Sequence, residues 1–182
     1  MKRTLLVALV CALTLGATAS VASATARPRS HSQGVTTKAS GLDKLYLRSS
    51  IQTDLAEIGA GKLALTKSHN QQVRRIASRF ITDHTRLLTS ARTLATKLDV
   101  AAPREPSPTQ QLTAQVLSTL SGKVFDHWYS ASQVAGHQEA IQLTQGEIAA
   151  GTNATVRQAA KMARPMLRAH LRLAEAALRA SS

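Results

Sequence analysis

The sequence predicts an all-α fold, a four-helix bundle with a long crossover between its second and third long helices. Three observations carry this. Apolar residues recur at three- and four-residue spacing through four long stretches, which places them on one face of a helix. The apolar–polar alternation of strands is nearly absent, as are glycine-rich phosphate loops. The middle connection, residues 100–122, is far longer than a tight antiparallel turn needs.

The chain opens on Lys2 and Arg3, followed by an apolar run from Leu5 to Leu15 that is too short for a stable membrane span. Small residues then offer cleavage sites at Ala22-Ser23-Ala24 and Ala24-Thr25-Ala26. Residues 1–26 read as an export signal, which implies an exported protein of the periplasm or cell envelope, with no membrane span left after cleavage. Cys11, the only cysteine, lies inside that signal. The mature chain therefore has no thiol for disulfides, thiolate metal sites or cysteine catalysis. Cleavage removes two of the 23 basic residues, leaving 21 against 10 acidic ones, a net charge of +11. That balance points to anionic envelope components such as lipid headgroups or acidic polysaccharide, while export argues against nucleic acid.

Residues 27–41 are rich in Ser, Thr, Gly and basic residues with no apolar period, and read as a disordered lead-in. The bundle is expected over 42–180. In the first long helix Leu47, Ile51, Asp54/Leu55, Ile58 and Leu65 lie near one face. A neighbouring stripe of small residues carries Glu57. Gly59 and Gly61 weaken this helix by about 1 kcal/mol each relative to Ala, and close helix packing is the expected reason for both. Asn70 is a good N-cap for the second helix, whose stripe is Val73, Ala77, Phe80, His84, Leu87, Ala91, Leu94 and Leu98. Pro103, Pro106 and Pro108 enforce an extended segment, then Thr109 to Leu120 forms a short helix. The third long helix, Lys123 to Ala150, carries Ser130, Val134, His137, Ile141, Thr144 and Ile148. The fourth carries Val156, Ala160, Ala163, Leu167, His170, Ala174 and Ala177, with Pro165 inside it.

Each long helix thus has one polar residue at mid-depth: Glu57, His84, His137 and His170. At 1.5 Å per residue they stand at ~18, ~22, ~21 and ~15 Å from one end, provided the crossover makes the second and third long helices parallel, as in ferritin-like bundles. A buried polar group without a partner costs roughly 1–3 kcal/mol, so this layer must be hydrogen-bonded, paired or ligated. Three imidazoles and a carboxylate suit a divalent transition metal such as Zn, Fe, Ni or Cu(II). They do not suit a di-iron oxidase, which uses four carboxylates and two Glu-x-x-His pairs. Ile81 and Leu167 occupy the positions three before His84 and His170.

Glu57 with Gly61-Lys62-Leu63-Ala64, Asp83-His84, Phe125-Asp126 with Tyr129, His137, and Pro165 with His170 resemble a family of exported bacterial proteins. Its members are labelled "predicted outer membrane protein" or ferritin-like domain of unknown function. The resemblance spans Leu42 to Leu178. It implies a ferritin-like four-helix bundle in the cell envelope, with no established activity.

Two readings of the layer stay open. In one it binds a metal. In the other it is a structural network fixing helix register, in an envelope or stress protein whose basic faces bind anionic lipid or polysaccharide. Arg74, Arg75 and Arg79 cluster on the second helix, and Arg164, Arg168 and Arg172 form a row on the last. Asp83 reads as a surface charge near Arg79 or Arg86, with an outer partner of His84 as the alternative. Asp126 and Tyr129 read as a structural hydrogen-bond pair. No Ser/His/Asp arrangement can be placed by spacing, so the sequence leans away from an enzyme.

Overall fold

A computed structural model describes residues 38–181. Residues 1–37, which hold the expected export signal and most of the expected lead-in, lie outside the described residues. Among the described residues there are five helices and no strand: α1 Gly41–Lys67, α2 Gln71–Lys97, α3 Pro108–Thr119, α4 Gly122–Ala150 and α5 Ala154–Ala180. None is long and apolar enough to cross a membrane.

Local chemistry sets the helix ends. Ser40 and Asp43 form a capping box that starts α1 at Gly41, and Ala39 just before it is already buried in the core. Asn70 caps α2 through Gln72 and Val73, and Asn153 caps α5 in the same way. Ser107 and Gln110 form a second capping box at α3, with Pro108 in its first turn. Asp99, at φ 53°, follows the C-cap Leu98 and turns the chain out of α2.

α1 packs along α2 and α4 along α5, while α2 and α5 meet more loosely. Two clusters show the relative directions. Asn70, Lys123 and Ser181 gather at one end, from the starts of α2 and α4 and the end of α5. At the other end, the Asp43 carboxylate accepts hydrogen bonds from the Thr152 and Asn153 amides, both 3.1 Å. Helices α2 and α4 therefore run parallel, and the connection carrying α3 spans the bundle, as expected from its length. Lys67 secures that connection by donating to the carbonyls of Ser118 and Leu120.

The core is built in three tiers. Val73, Ile76, Phe80, Phe125 and Tyr129 lead one apolar cluster. Tyr46, Leu47, Ile51, Leu94 and Val156 lead the other. Between them lies a buried polar tier holding Asp54, Glu57, Asp83, His84, Gln133, His137 and His170. Two helices are rotated from the expected stripes. In α1 the buried set is Asp43, Tyr46, Leu47, Ile51, Asp54, Glu57, Gly61 and Ala64, the seam between the two stripes read from the sequence. In α4, Gln133 and Glu147 are buried while Val134, Ile141 and Ile148 are only half-buried. Both helices carry apolar residues around much of their circumference. Which line faces inward is then decided by several neighbours at once.

Gly61 behaves as expected: a Cβ there would meet Ile81 Cγ1 at 2.7 Å and the Ala77 carbonyl oxygen at 3.1 Å, so α1 and α2 touch backbone to backbone. Gly59 does not. Nothing lies within 4 Å of its Cβ position, so packing gives no reason for glycine there.

Candidate metal centre

The imidazoles of His84, His137 and His170 converge from α2, α4 and α5. One nitrogen from each lies within 4.8 Å of the others, and all three rings are at most 1% exposed. Phe80, one turn before His84, stacks obliquely on His137 and His170 at centroid distances of 4.9 and 4.3 Å. It closes the cluster on one side.

Each ring has an outer nitrogen held by an acceptor. His137 Nδ1 is 2.8 Å from the Gln133 carbonyl oxygen in its own helix. A carbonyl only accepts, so Nδ1 carries the hydrogen and Nε2 of the neutral ring is a bare lone pair. His170 Nε2 is 3.0 Å from Asp83 Oδ2. Burial pushes the Asp83 carboxyl up, but hydrogen bonds from Arg79 and His170 and the Arg79 charge outweigh it and hold it below the usual carboxylate range. An ionised Asp83 accepts from Nε2–H, which leaves His170 Nδ1 bare. His84 Nδ1 is 2.8 Å from Asp54 Oδ1, and His84 Nε2 has no hydrogen-bond partner. His84 Nε2, His137 Nε2 and His170 Nδ1 are then the inward nitrogens. His137 Nε2 and His170 Nδ1 stand 3.3 Å apart.

The surroundings keep all three rings neutral. Burial lowers His84 to about 4, partly opposed by the Asp83 charge. Burial and the His84 charge bring His137 to about 3, despite the Gln133 hydrogen bond. His170 falls to about 4 by burial, against the pull of its bond to Asp83. Burial also raises Asp54 to about 8. The Asp54–His84 pair is therefore neutral overall, a protonated carboxyl beside a neutral ring. With Nδ1–H donating to Oδ1, a cation on the bare His84 Nε2 would favour release of the carboxyl proton to solvent and ionise Asp54, giving the carboxylate–histidine–metal pattern in which the outer acceptor makes the imidazole a better donor.

Glu57 stands beside this group rather than within it. Its Oε1 is 3.9 Å from His137 Nδ1, the nitrogen already engaged with Gln133. Burial, helped by the Asp54 charge, raises its carboxyl to about 8, and Oε2 has no partner.

Of the four residues read from the sequence, three histidines share one centre and Glu57 flanks it. Asp83 is a correction: it is 7% exposed, and it orients His170 from a neighbouring helix while also pairing with Arg79. Its α-helical position beside His84 hid this, because adjacent residues point about 100° apart and so reach different neighbours. Asp54 was visible only as a polar member of an apolar stripe, and that interruption was the signal. Asp126 and Tyr129 do not bond to each other, since Asp126 Oδ1 and the Tyr129 hydroxyl both lack partners. Two arginines of the α2 cluster are committed internally: Arg74 donates to the Leu65 and Ser68 carbonyls, and Arg79 pairs with Asp83.

Residues 28–177 match the model of a family described as "Domain of unknown function (DUF4142)". Among curated proteins, no sequence matches the chain. A crystal structure of a DUF305 fragment from Deinococcus radiodurans has a similar fold, with TM-score 0.69 at 15% identity, over 78% of this chain and 97% of that one.

Proposed function

The protein belongs to the DUF4142 domain family, and on that premise we propose that it is an exported ferritin-like four-helix-bundle protein of the cell envelope that binds one divalent transition ion. In this reading His84 Nε2, His137 Nε2 and His170 Nδ1 are the donors, and Asp54, the Gln133 carbonyl and Asp83 support them from outside. Glu57, its carboxyl kept protonated at neutral pH by burial, flanks them at the edge.

One observation carries the reading: the facing pair His137 Nε2 and His170 Nδ1, 3.3 Å apart. With their outer nitrogens donating to acceptors, two neutral rings would direct lone pairs at each other. Such a contact is repulsive unless a proton or a metal lies between them, and burial opposes the proton. Three neutral nitrogen donors suit Zn, Ni, Cu(II) or Fe, and leave a coordination position open in a tetrahedral site. The absence of carboxylates from the converging set supports binding rather than di-iron oxidation.

The test is elemental analysis of untagged protein purified without chelators, followed by titration of stripped protein with Zn²⁺ and with Co²⁺ as a spectroscopic probe of coordination. One ion per chain with a tetrahedral Co²⁺ spectrum supports the reading. Metal-free protein that takes up neither ion ends it.

The second reading treats the tier as a structural network in an envelope or stress protein. The observation favouring it is that Asp54–His84 and Asp83–His170 tie three helices together without any ion. The row Arg164, Arg168 and Arg172 would then meet anionic lipid or polysaccharide. Salt-sensitive retention on anionic vesicles, by a protein that takes up no metal, is its signature.

A further inference from the structure

On the side of the histidines opposite Phe80, the bundle interior holds a cavity of about 330 Å³ bounded by α1, α2, α4 and α5. Its position is immediate. Leu87 and Ala140 follow His84 and His137 by three residues, Leu167 precedes His170 by three, and all three line it. Protein interiors pack to crystal-like density with few voids larger than a water molecule, whereas this volume lies in the range of small-molecule sites. The sequence builds the space: Ala91, Ala140, Ala159 and Ala163 stand on three helices where larger apolar side chains would fill it.

The walls are mostly apolar. Tyr46, Ser50, Thr53 and Thr144 add hydroxyls to the lining, and at the inner end stand Asp54 and His84, 3% and 1% exposed. Each has an atom without a partner, Asp54 Oδ2 and His84 Nε2. At the outer end Ser90 and Met162 are exposed, so the cavity reaches the surface where α2 and α5 meet loosely. Met162 and Met166 supply flexible thioether side chains that can re-pack around a guest.

We propose that this cavity binds a small, elongated apolar molecule with one hydroxyl head, the tail among the alanines and the head at Asp54 and His84. Asp54 Oδ1 is occupied by His84, so Oδ2 is the atom that meets the head. A hydroxyl both donates and accepts, so it can satisfy that oxygen and the unpartnered His84 Nε2 beside it. The proposal goes beyond the metal reading and does not rest on it.

The test uses metal-stripped protein at pH 6, so failure of the metal reading leaves it intact. The neutral fluorophore 1-aminoanthracene is the probe, with 1-octanol (a hydroxyl head) and octane (no head) as competitors. Binding of one probe per chain is expected, with 1-octanol displacing it at least tenfold more effectively than octane. Ala163→Phe should weaken probe binding at least tenfold. Ala91→Phe, half-exposed at the mouth and so tolerant of a larger side chain, should do the same if Ala163→Phe does not fold. No probe binding by the wild type, or wild-type binding by a folded Ala91→Phe protein, overturns the site. Equal or better competition by octane overturns the head assignment.

Discussion

His137 Nε2 and His170 Nδ1 face each other at 3.3 Å, each ring anchored through its other nitrogen, to the Gln133 carbonyl and to Asp83. Two donors fixed at that separation, with His84 Nε2 close by, cost nothing further to organise when an ion arrives. The stabilisation on binding is then set by linkage. At a free-ion concentration 100 times Kd, Zn²⁺ should stabilise the fold by about 2.7 kcal/mol. His84→Leu, roughly conserving volume, should lose both stoichiometric metal and the metal-dependent rise in Tm. Calorimetry with and without chelator checks it, and an unchanged Zn²⁺ response in the variant would remove His84 from the donor set.

Asp83 should act on metal affinity through His170. Asp83→Asn keeps the shape but replaces an ionised acceptor by a neutral amide, and loss of such outer partners typically costs about 10–100-fold in affinity. Arg79→Ala should have a smaller effect, because Arg79 is largely exposed and works only by keeping Asp83 ionised. Competition against a chromophoric chelator measures both. Equal affinity in Asp83→Asn and wild type would show that the Asp83–His170 bond plays no part in the site.

Much of the bundle was legible because its strongest signals are local. Asn70 and the residue spacing of α2 act within a few positions, and the length of the crossover alone implied parallel α2 and α4. The three histidines were legible because each interrupts an apolar run. What stayed hidden depends on helix rotation. Asp83 and His84 are adjacent, yet one reaches His170 and the other Asp54. The cavity was invisible for a related reason, since alanine fits a packed seam and an open one equally well. Only the spacing of four helices at one level distinguishes them.

Two glycines two residues apart in α1 should respond with opposite sign. At Gly61 a methyl group would press on the Ala77 carbonyl, which belongs to a packed helix backbone and cannot yield cheaply. Gly61→Ala should therefore destabilise by about 1–3 kcal/mol despite its better helix propensity. Gly59 has open space, so Gly59→Ala should stabilise by up to about 1 kcal/mol. Urea unfolding of both variants checks the pair. Stabilisation of both would show that α1 and α2 are not in backbone contact at Gly61.

The pH dependence of the metal-free protein follows from two opposed groups. His84, His137 and His170 sit at about 4, 3 and 4, below the ordinary value near 6.5. The unfolded chain therefore binds more protons, and their contribution is full above pH 6.5 and lost as pH falls through 4 to 3. Asp54, Glu57 and Glu147 are raised to about 8 by burial, so the folded chain keeps protons that the unfolded one releases near pH 4. Their contribution is full below that pH and lost as pH rises through 8. Between about pH 4.5 and 6.5 the two trends offset each other. From 6.5 to 8 only the carboxyls act, and stability must fall. The expected curve for chelated protein is a plateau near pH 5–6, with a lower Tm at pH 8.5. Zn²⁺ should flatten that decline, because an ionised Asp54 then faces a metal-bound, positively polarised imidazole instead of an uncharged one. Thermal melts from pH 4 to 9, with chelator and with Zn²⁺, decide it. A Tm of the chelated protein that climbs from pH 6 to 8.5 would mean that these buried carboxyls ionise freely in the folded state, and the neutral Asp54–His84 pair would have to be abandoned.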